Sequence, residues 1–534
     1  MRYIRNKLIV ALIFLFLILI PLLISFISIF NFESDFNFST LKNILFFTLK
    51  QATVSTVFSL LVAFPVAIYI GKYKSRFNKL IKRTSIIPFF FPSISMTISF
   101  LAIYGRYGVI NNILNSLNFS RVQFLYTFFI IIVAHVFYNS PILVKTISEG
   151  YERYPKNLYE ESLILGVNPV KKFFKLELPF LLTAIISGLI LVFSYSFTSF
   201  AVVMILGGSQ YATLEVSIYM YLKLLGKPDI AILISSIQFL FLILFGLFIN
   251  ILDKEYPSEG FMRIKKGTKN IFLEIYSIFY SLFEWIPVII AIIIPFYNFS
   301  NNTFTLKYFL NLFTMNMNSI IGVNSILSTI FNSFIFSTIT GIASTALVFY
   351  IILIIKIKRG NVKTIRILSL ISISISPVIM ALAYSKAYFF ISPLISIILL
   401  YIVLTFPVNI NLIYSFASKF DYSIVESAKI DGAKNIDIIK KIALPIFKIP
   451  LIYTLSISFA ICFGEISAAL ILISDILPTL PVAIYRLSST RYLGEARTAS
   501  SLLLVIVLLS VGIISYLLKK AQQGENSHSL HRGF

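Results

Sequence analysis

The chain has 534 residues, 58% of them hydrophobic and 16% aromatic, with 13% charged and a mean hydropathy of +0.91. Soluble globular chains carry roughly 25% charged residues, so there is too little polar surface here to cover a water-soluble body. The net charge of +23 is not a nucleic-acid footprint either, because the basic residues cluster in short loops between apolar runs.

In chain order, apolar runs long enough to cross a bilayer, about 20 residues, are expected near 8–30, 46–70, 85–105, 124–146, 179–206 and 229–252. A second set follows near 274–298, 327–355, 367–386, 391–416, 445–473 and 498–518. The first run follows Arg2, Arg5 and Lys7 as a signal peptide would. Its apolar stretch is long, however, and lacks a small-residue cleavage site, so it reads as a retained anchor. Basic clusters follow the second run (Lys72, Lys74, Arg76, Lys79, Lys82, Arg83) and the eighth (Lys356, Lys358, Arg359, Lys363, Arg366), whereas "NFESDFNFST" and "NFSNNTFTLK" are poor in Lys and Arg. This alternation places the basic loops and both termini in the cytosol. The expected fold class is an all-α integral membrane protein of about 12 transmembrane helices. Cys462 stands alone and His135, His528 and His531 are scattered, so neither a disulfide nor a metal site is expected.

Two polar stretches interrupt this pattern, "EESLILGVNPVKKFFKLELP" at 160–179 and "ESAKIDGAKNIDIIKKIALP" at 426–445. They stand 266 positions apart, and the same offset relates Pro141 to Pro407, Gly166 to Gly432, Lys175 to Lys441, and "TLEVSIY" (213–219) to "TLPVAIY" (479–485). Several matches in one register define an internal duplication. Upstream the register breaks, because the first half carries extra residues around "RYGVINNILNSLNFSRVQF". The expected domains are two homologous six-helix halves, 1–252 and 271–520, a cytosolic linker at 253–270 and a cytosolic tail at 521–534. Each half has an even number of spans, so both polar stretches emerge on the cytosolic face, related by a pseudo-twofold axis.

Each stretch reads as a helix, a turn and a second helix. Gly166, and Asp431-Gly432 in the second copy, supply a left-handed helix end, and Pro179 or Pro445 fits the first turn of the next span. Leu163, Ile164 and Leu165, or Ala428 and Ile430, are available to fill a groove.

The pattern Glu-x5-Gly-x12-Pro, present at both 160–179 and 426–445, resembles the "EAA" loop of bacterial ABC importer permeases of the binding-protein-dependent type. Glu161-Ser162 and Ser427-Ala428 stand where that family favours two alanines. The resemblance implies a type I importer permease fold in the bacterial inner membrane, with loops 155–179 and 421–445 coupling to a dimer of ATPase subunits through Glu160, Ser162, Gly166, Pro179, Glu426, Ala428, Asp431, Gly432 and Pro445. An extracytoplasmic substrate-binding protein would be the other partner. The chain has no G-x-x-x-x-G-K-[ST] phosphate loop. It is therefore expected to be a translocation subunit and not an enzyme, with ATP and Mg held by the partner subunits and no cofactor of its own.

In "AICFGEISAALIL", Glu465 stands out as an acid deep in a span, about 30 Å along a helix from Pro445. With Gly464, and with Ser199 at the matching position of the first half, it is a candidate pathway residue for a cationic substrate. The other reading makes it a structural partner of a hydroxyl or of Arg486. The segments around Ser199 and Glu465 look most like those of thiamine importers, then ferric-iron importers. A secondary transporter of six plus six helices is the alternative class, but it has no use for duplicated polar loops.

Overall fold

A computed structural model describes residues 15–27, 37–73, 77–78, 81–82, 91–252, 270–298, 303–357, 376–417, 420, 423–490 and 492–530. Its principal helices in the first part of the chain are α1 (Ile20–Ile27), α2 (Phe38–Lys72), α3 (Ser93–Tyr104), α4 (Phe128–Glu152), α5 (Lys156–Ile164), α6 (Leu178–Phe197), α7 (Leu214–Tyr219) and α8 (Pro228–Leu252). There follow α9 (Ile271–Ile293), α10 (Ile326–Ile357), α11 (Pro377–Ala387), α12 (Pro393–Ala417), α13 (Ser423–Ile430), α14 (Leu444–Phe463), α15 (Ser467–Leu472), α16 (Leu480–Ser488) and α17 (Leu493–Leu530). After α9 a two-stranded antiparallel ribbon pairs Tyr297 with Phe304 and Asn298 with Thr303.

Among the described residues nine helical runs are long and apolar enough to cross a membrane, so this is a multi-pass, all-α membrane protein. The nine contain α2, α4, α6, α8, α9, α10, α12, α14 and α17. The shorter helices α1, α3 and α11 fall where three further spans are expected, and each adjoins residues outside the described set. The linker 253–270 lies outside it except for Asn270, and the tail 521–534 is described only as helical backbone to Leu530.

The two compact units of the chain are Ser34–Tyr308, and Met1–Glu33 together with Phe309–Phe534. Packing thus groups the helices differently from the order of the sequence repeat. α9, from beyond the linker, packs on α2 and α3, while α1 packs on α11.

Within each unit three long helices pack on one another, α2 with α4 and α6 in one, α10 with α12 and α14 in the other. The pattern along α2 shows why. Its buried face carries Thr48, Gln51, Ala52, Ser55, Ser59 and Ala63, whereas Phe46, Val57, Phe58 and Leu61 point outward. Lipid tails are as apolar as a leucine side chain, so burying large hydrophobes gains little; small residues that let backbones approach, and hydroxyls that bond across the contact, hold such helices together. α10 follows the same rule, with Ser333, Ser337, Thr340 and Ser344 buried and Phe331, Phe334, Ile339 and Ile342 exposed. The fit is close at Gly188 of α6, where a Cβ would come within 2.7 Å of the Thr146 hydroxyl of α4.

The extra residues of the first half form a helix at Val109–Ser116 and the segment after it. Buried Asn111 fastens both, donating to the carbonyls of Gly105 (2.9 Å) and Val122 (3.0 Å) and accepting from the Val122 amide (2.8 Å).

Candidate functional site

Both polar stretches fold as the expected elbow. α5 and α13 each end in a glycine with positive φ, +59° at Gly166 and +80° at Gly432. The closing bonds match: the Val167 amide donates to the Ser162 carbonyl (3.1 Å) and the Ala433 amide to the Ala428 carbonyl (2.9 Å). This six-to-one bond around a left-handed glycine satisfies the last helical carbonyls and turns the chain sharply. A Cβ at either glycine would meet nothing within 4 Å, so backbone conformation and not crowding selects glycine there.

After the turn the chain re-enters a helix at Pro169–Lys172, or Asn435–Asp437, and passes through one π-helical turn, Phe173–Glu177 or Ile438–Ala443, into α6 or α14. The widened turns end two residues before Pro179 and Pro445, the amides of Leu178 and Leu444 bonding five residues back to Phe173 and Ile439. A proline ring clashes with the carbonyl four residues earlier and offers no amide. Widening the preceding turn relieves that clash while keeping the helix continuous. The sequence alone gave no sign of these π turns.

Glu160, Gly166, Pro179, Glu426, Asp431, Gly432 and Pro445 are exposed, Ala428 is half-buried, and Ser162 is buried with its hydroxyl donating to the Tyr159 carbonyl (2.6 Å). Ile164 and Ile430, at matching positions in the last turn of α5 and α13, are 84% and 85% exposed. The elbows differ at their bases. In the first, buried Glu177 pairs with Lys72 at the end of α2 and accepts from the Tyr151 hydroxyl (3.4 Å). Burial, then the nearby Glu177 carboxylate, raises the pKa of Tyr154 above the ordinary phenol value. In the second, Ala443 occupies the place of Glu177 and packs with Phe447, Phe349 and Ile439.

A second pair of matched features lies where α6 and α14 end. Ser199 follows α6 and Gly464-Glu465 follow α14, and all three are half-buried. His135 of α4 bridges Ser55 (Nδ1, 2.9 Å) and Ser199 (Nε2, 2.8 Å). Tyr401, the residue matching His135, is buried beside Glu465. Glu465 lies past the end of the α14 helix, and its carboxylate caps α15, accepting from the amides of Ala468 (3.0 Å) and Ala469 (3.3 Å). Arg486 does not partner Glu465; its guanidinium donates to Asp475 (2.8 Å) and the Ile321 carbonyl (3.1 Å).

Glu465 is not the one acid that stands out in the membrane region. Glu284, in the middle of α9, is 2% exposed and accepts from the Ser140 hydroxyl of α4 (3.2 Å). Glu215 is fully buried and accepts from Gln238 of α8 (2.7 Å). Both sit in apolar stretches of the sequence, where the acid itself was the available signal.

The "TLEVSIY" and "TLPVAIY" segments form α7 and α16, both largely buried against longer helices. Their first amides are satisfied in the same way: Leu214 donates to the Thr48 hydroxyl (3.1 Å) and Leu480 to the Ser333 hydroxyl (2.7 Å). Short helices inside a bilayer need such partners, because lipid offers none. Among the described residues there is no cluster of three or more His, Cys, Asp or Glu able to hold a metal ion.

The profile of one family, described as "Binding-protein-dependent transport system inner membrane component", matches residues 63–256 and again 363–524. The chain is 31% identical over 233 residues to the thiamine transport system permease protein ThiP of Brucella abortus (strain 2308), an alignment covering 43% of this chain and 42% of that relative. The chain thus matches less than half the length of that protein. It is 27% identical over 193 residues to the molybdenum transport system permease protein ModB of Mycobacterium tuberculosis, covering 36% of this chain and 72% of the relative. Duplicated elbows, two compact units built alike and two profile matches that together span most of the sequence place the chain in the family of binding-protein-dependent transport system inner membrane components.

Proposed function

We propose that this chain is the translocation subunit of an ATP-driven importer, each elbow docking into a cleft of a separate ATPase subunit on the cytosolic face of the inner membrane. The observation that carries the reading is the match between Ile164 and Ile430, 84% and 85% exposed at the ends of two short helices of mixed polar and apolar residues. A large aliphatic side chain held that far into solvent, twice and at one register, suits a hydrophobic pocket on a two-fold partner. ATP and Mg then belong to the partner, and substrate arrives from an extracytoplasmic binding protein. Co-purification with the ATPase encoded beside this chain tests the docking. Ile164→Asp and Ile430→Asp together are expected to abolish association, and retained association would sink the assignment.

For the substrate we propose thiamine or a related organic cation, with ferric iron second. The likeness to a thiamine transport permease supports this, as does the half-buried acid Glu465 just past the end of α14, next to Gly464 and matched in the first half by Ser199. Uptake of labelled thiamine into proteoliposomes containing the permease, its ATPase and its binding protein decides it. Uptake of ferric iron with none of thiamine would overturn the choice.

A further inference from the structure

We infer that Glu177 is a positioning residue that latches the first elbow to α2 through Lys72. Glu177 ends the π turn between elbow and span, is 3% exposed, and is ion-paired with the last residue of α2. The Lys72 ammonium also stands 5.4 Å from the centroid of the Tyr151 ring and 5.8 Å from that of Phe173. Lys172, likewise buried, places Nζ 3.4 Å from the centroid of the Tyr159 ring on α5. A single charged cluster therefore joins α2, α4, the π turn and the elbow helix.

At the matching positions of the second copy, Glu177 is replaced by Ala443, Lys172 by Ile438, Tyr159 by Val425 and Tyr151 by Ala417, all buried. A desolvated ion pair is directional, and losing one partner strands the other charge. An apolar contact accepts small shifts at little cost. The ion pair thus holds the first elbow to α2, whereas the four matching positions of the second copy offer apolar contacts. The coupling consequence rests on the reading of the elbows under Proposed function; the latch does not.

The test uses the full chain in nanodiscs, in a Cys462→Ser background, with a nitroxide attached at Ile164→Cys or Ile430→Cys. Glu177→Gln and Lys72→Met are each expected to raise label mobility at 164 and leave 430 unchanged, and Lys72→Glu with Glu177→Lys to restore the original spectrum. With the ATPase subunits added to the unlabelled chain, which keeps Ile164 and Ile430, substrate moved per ATP should be lower in Glu177→Gln than in the unmodified protein. Unchanged mobility at 164 in both single variants, or an equal rise at 164 and 430, overturns the latch. Raised mobility with undiminished transport per ATP overturns its part in coupling. Failure of the unmodified chain to bind the ATPase sinks the coupling reading alone, since the label spectra still decide the latch.

Discussion

Nε2 of His135 lies 2.8 Å from the Ser199 hydroxyl, tying the N-terminal part of α4 to the point where α6 stops. With Ser55 on the other ring nitrogen, a neutral imidazole is fully partnered in either tautomer, because each hydroxyl can donate or accept. His135→Leu fits the space but leaves two hydroxyls without their partner inside the bundle. The expected loss is about 2 kcal/mol of stability, seen as a lowered thermal unfolding midpoint in detergent. A midpoint equal to that of the unmodified chain would show that the bridge contributes nothing.

Gly166→Ala and Gly432→Ala test the turns apart from any partner. Neither added methyl group meets an atom within 4 Å, so the whole effect is the strain of a left-handed alanine, about 1–2 kcal/mol each. The loss should be shared by the two sites and independent of side-chain size from Ala to Leu. A steep dependence on size would mean that the turns are crowded.

Ile164→Asp and Ile430→Asp are expected to leave the isolated permease as stable as before, within about 0.5 kcal/mol, because both side chains are exposed. Their effect should be confined to assembly with the ATPase. A large loss of stability in the permease alone would show instead that these residues sit in a lipid or protein contact.

Glu465→Ala removes the acceptor for the first amides of α15 and is expected to cost about 1 kcal/mol. Glu465→Gln keeps an oxygen for that cap while removing the charge. If the acid serves cation passage, Gln should retain stability and lose transport; if it serves only as a cap, Gln should retain both. Measuring unfolding and uptake on the same two variants separates the roles.

The elbows were legible in the sequence because glycine and proline each impose a local backbone geometry, and the duplication repeated them at one spacing. Candidate spans were legible from hydropathy for the same local reason. What escaped was tertiary. Nothing in "SLFEWIPVII" says that Glu284 faces Ser140 rather than lipid, because the neighbouring residues are apolar on every side. Hydropathy runs on through Glu465, whereas the helix ends at Phe463 and the Glu465 carboxylate caps the next one, a local exchange of partners that apolar composition does not reveal. The pairing of α9 with α2 and α3 is likewise decided by complementary surfaces, which nearly uniform hydrophobicity conceals.

That exchange of leading helices bears on how the protein is made. α1 ends at Ile27, yet the helix it packs against, α11, begins at Pro377. At roughly 5–20 residues per second of synthesis, α1 waits tens of seconds in the bilayer before its partner exists. α9, by contrast, completes the unit of α2 and α3 soon after the linker emerges. The two units therefore mature in sequence, and a ribosome stalled after Tyr308 but before Pro377 should leave one unit whole and α1 exposed to protease or to chaperones of the membrane.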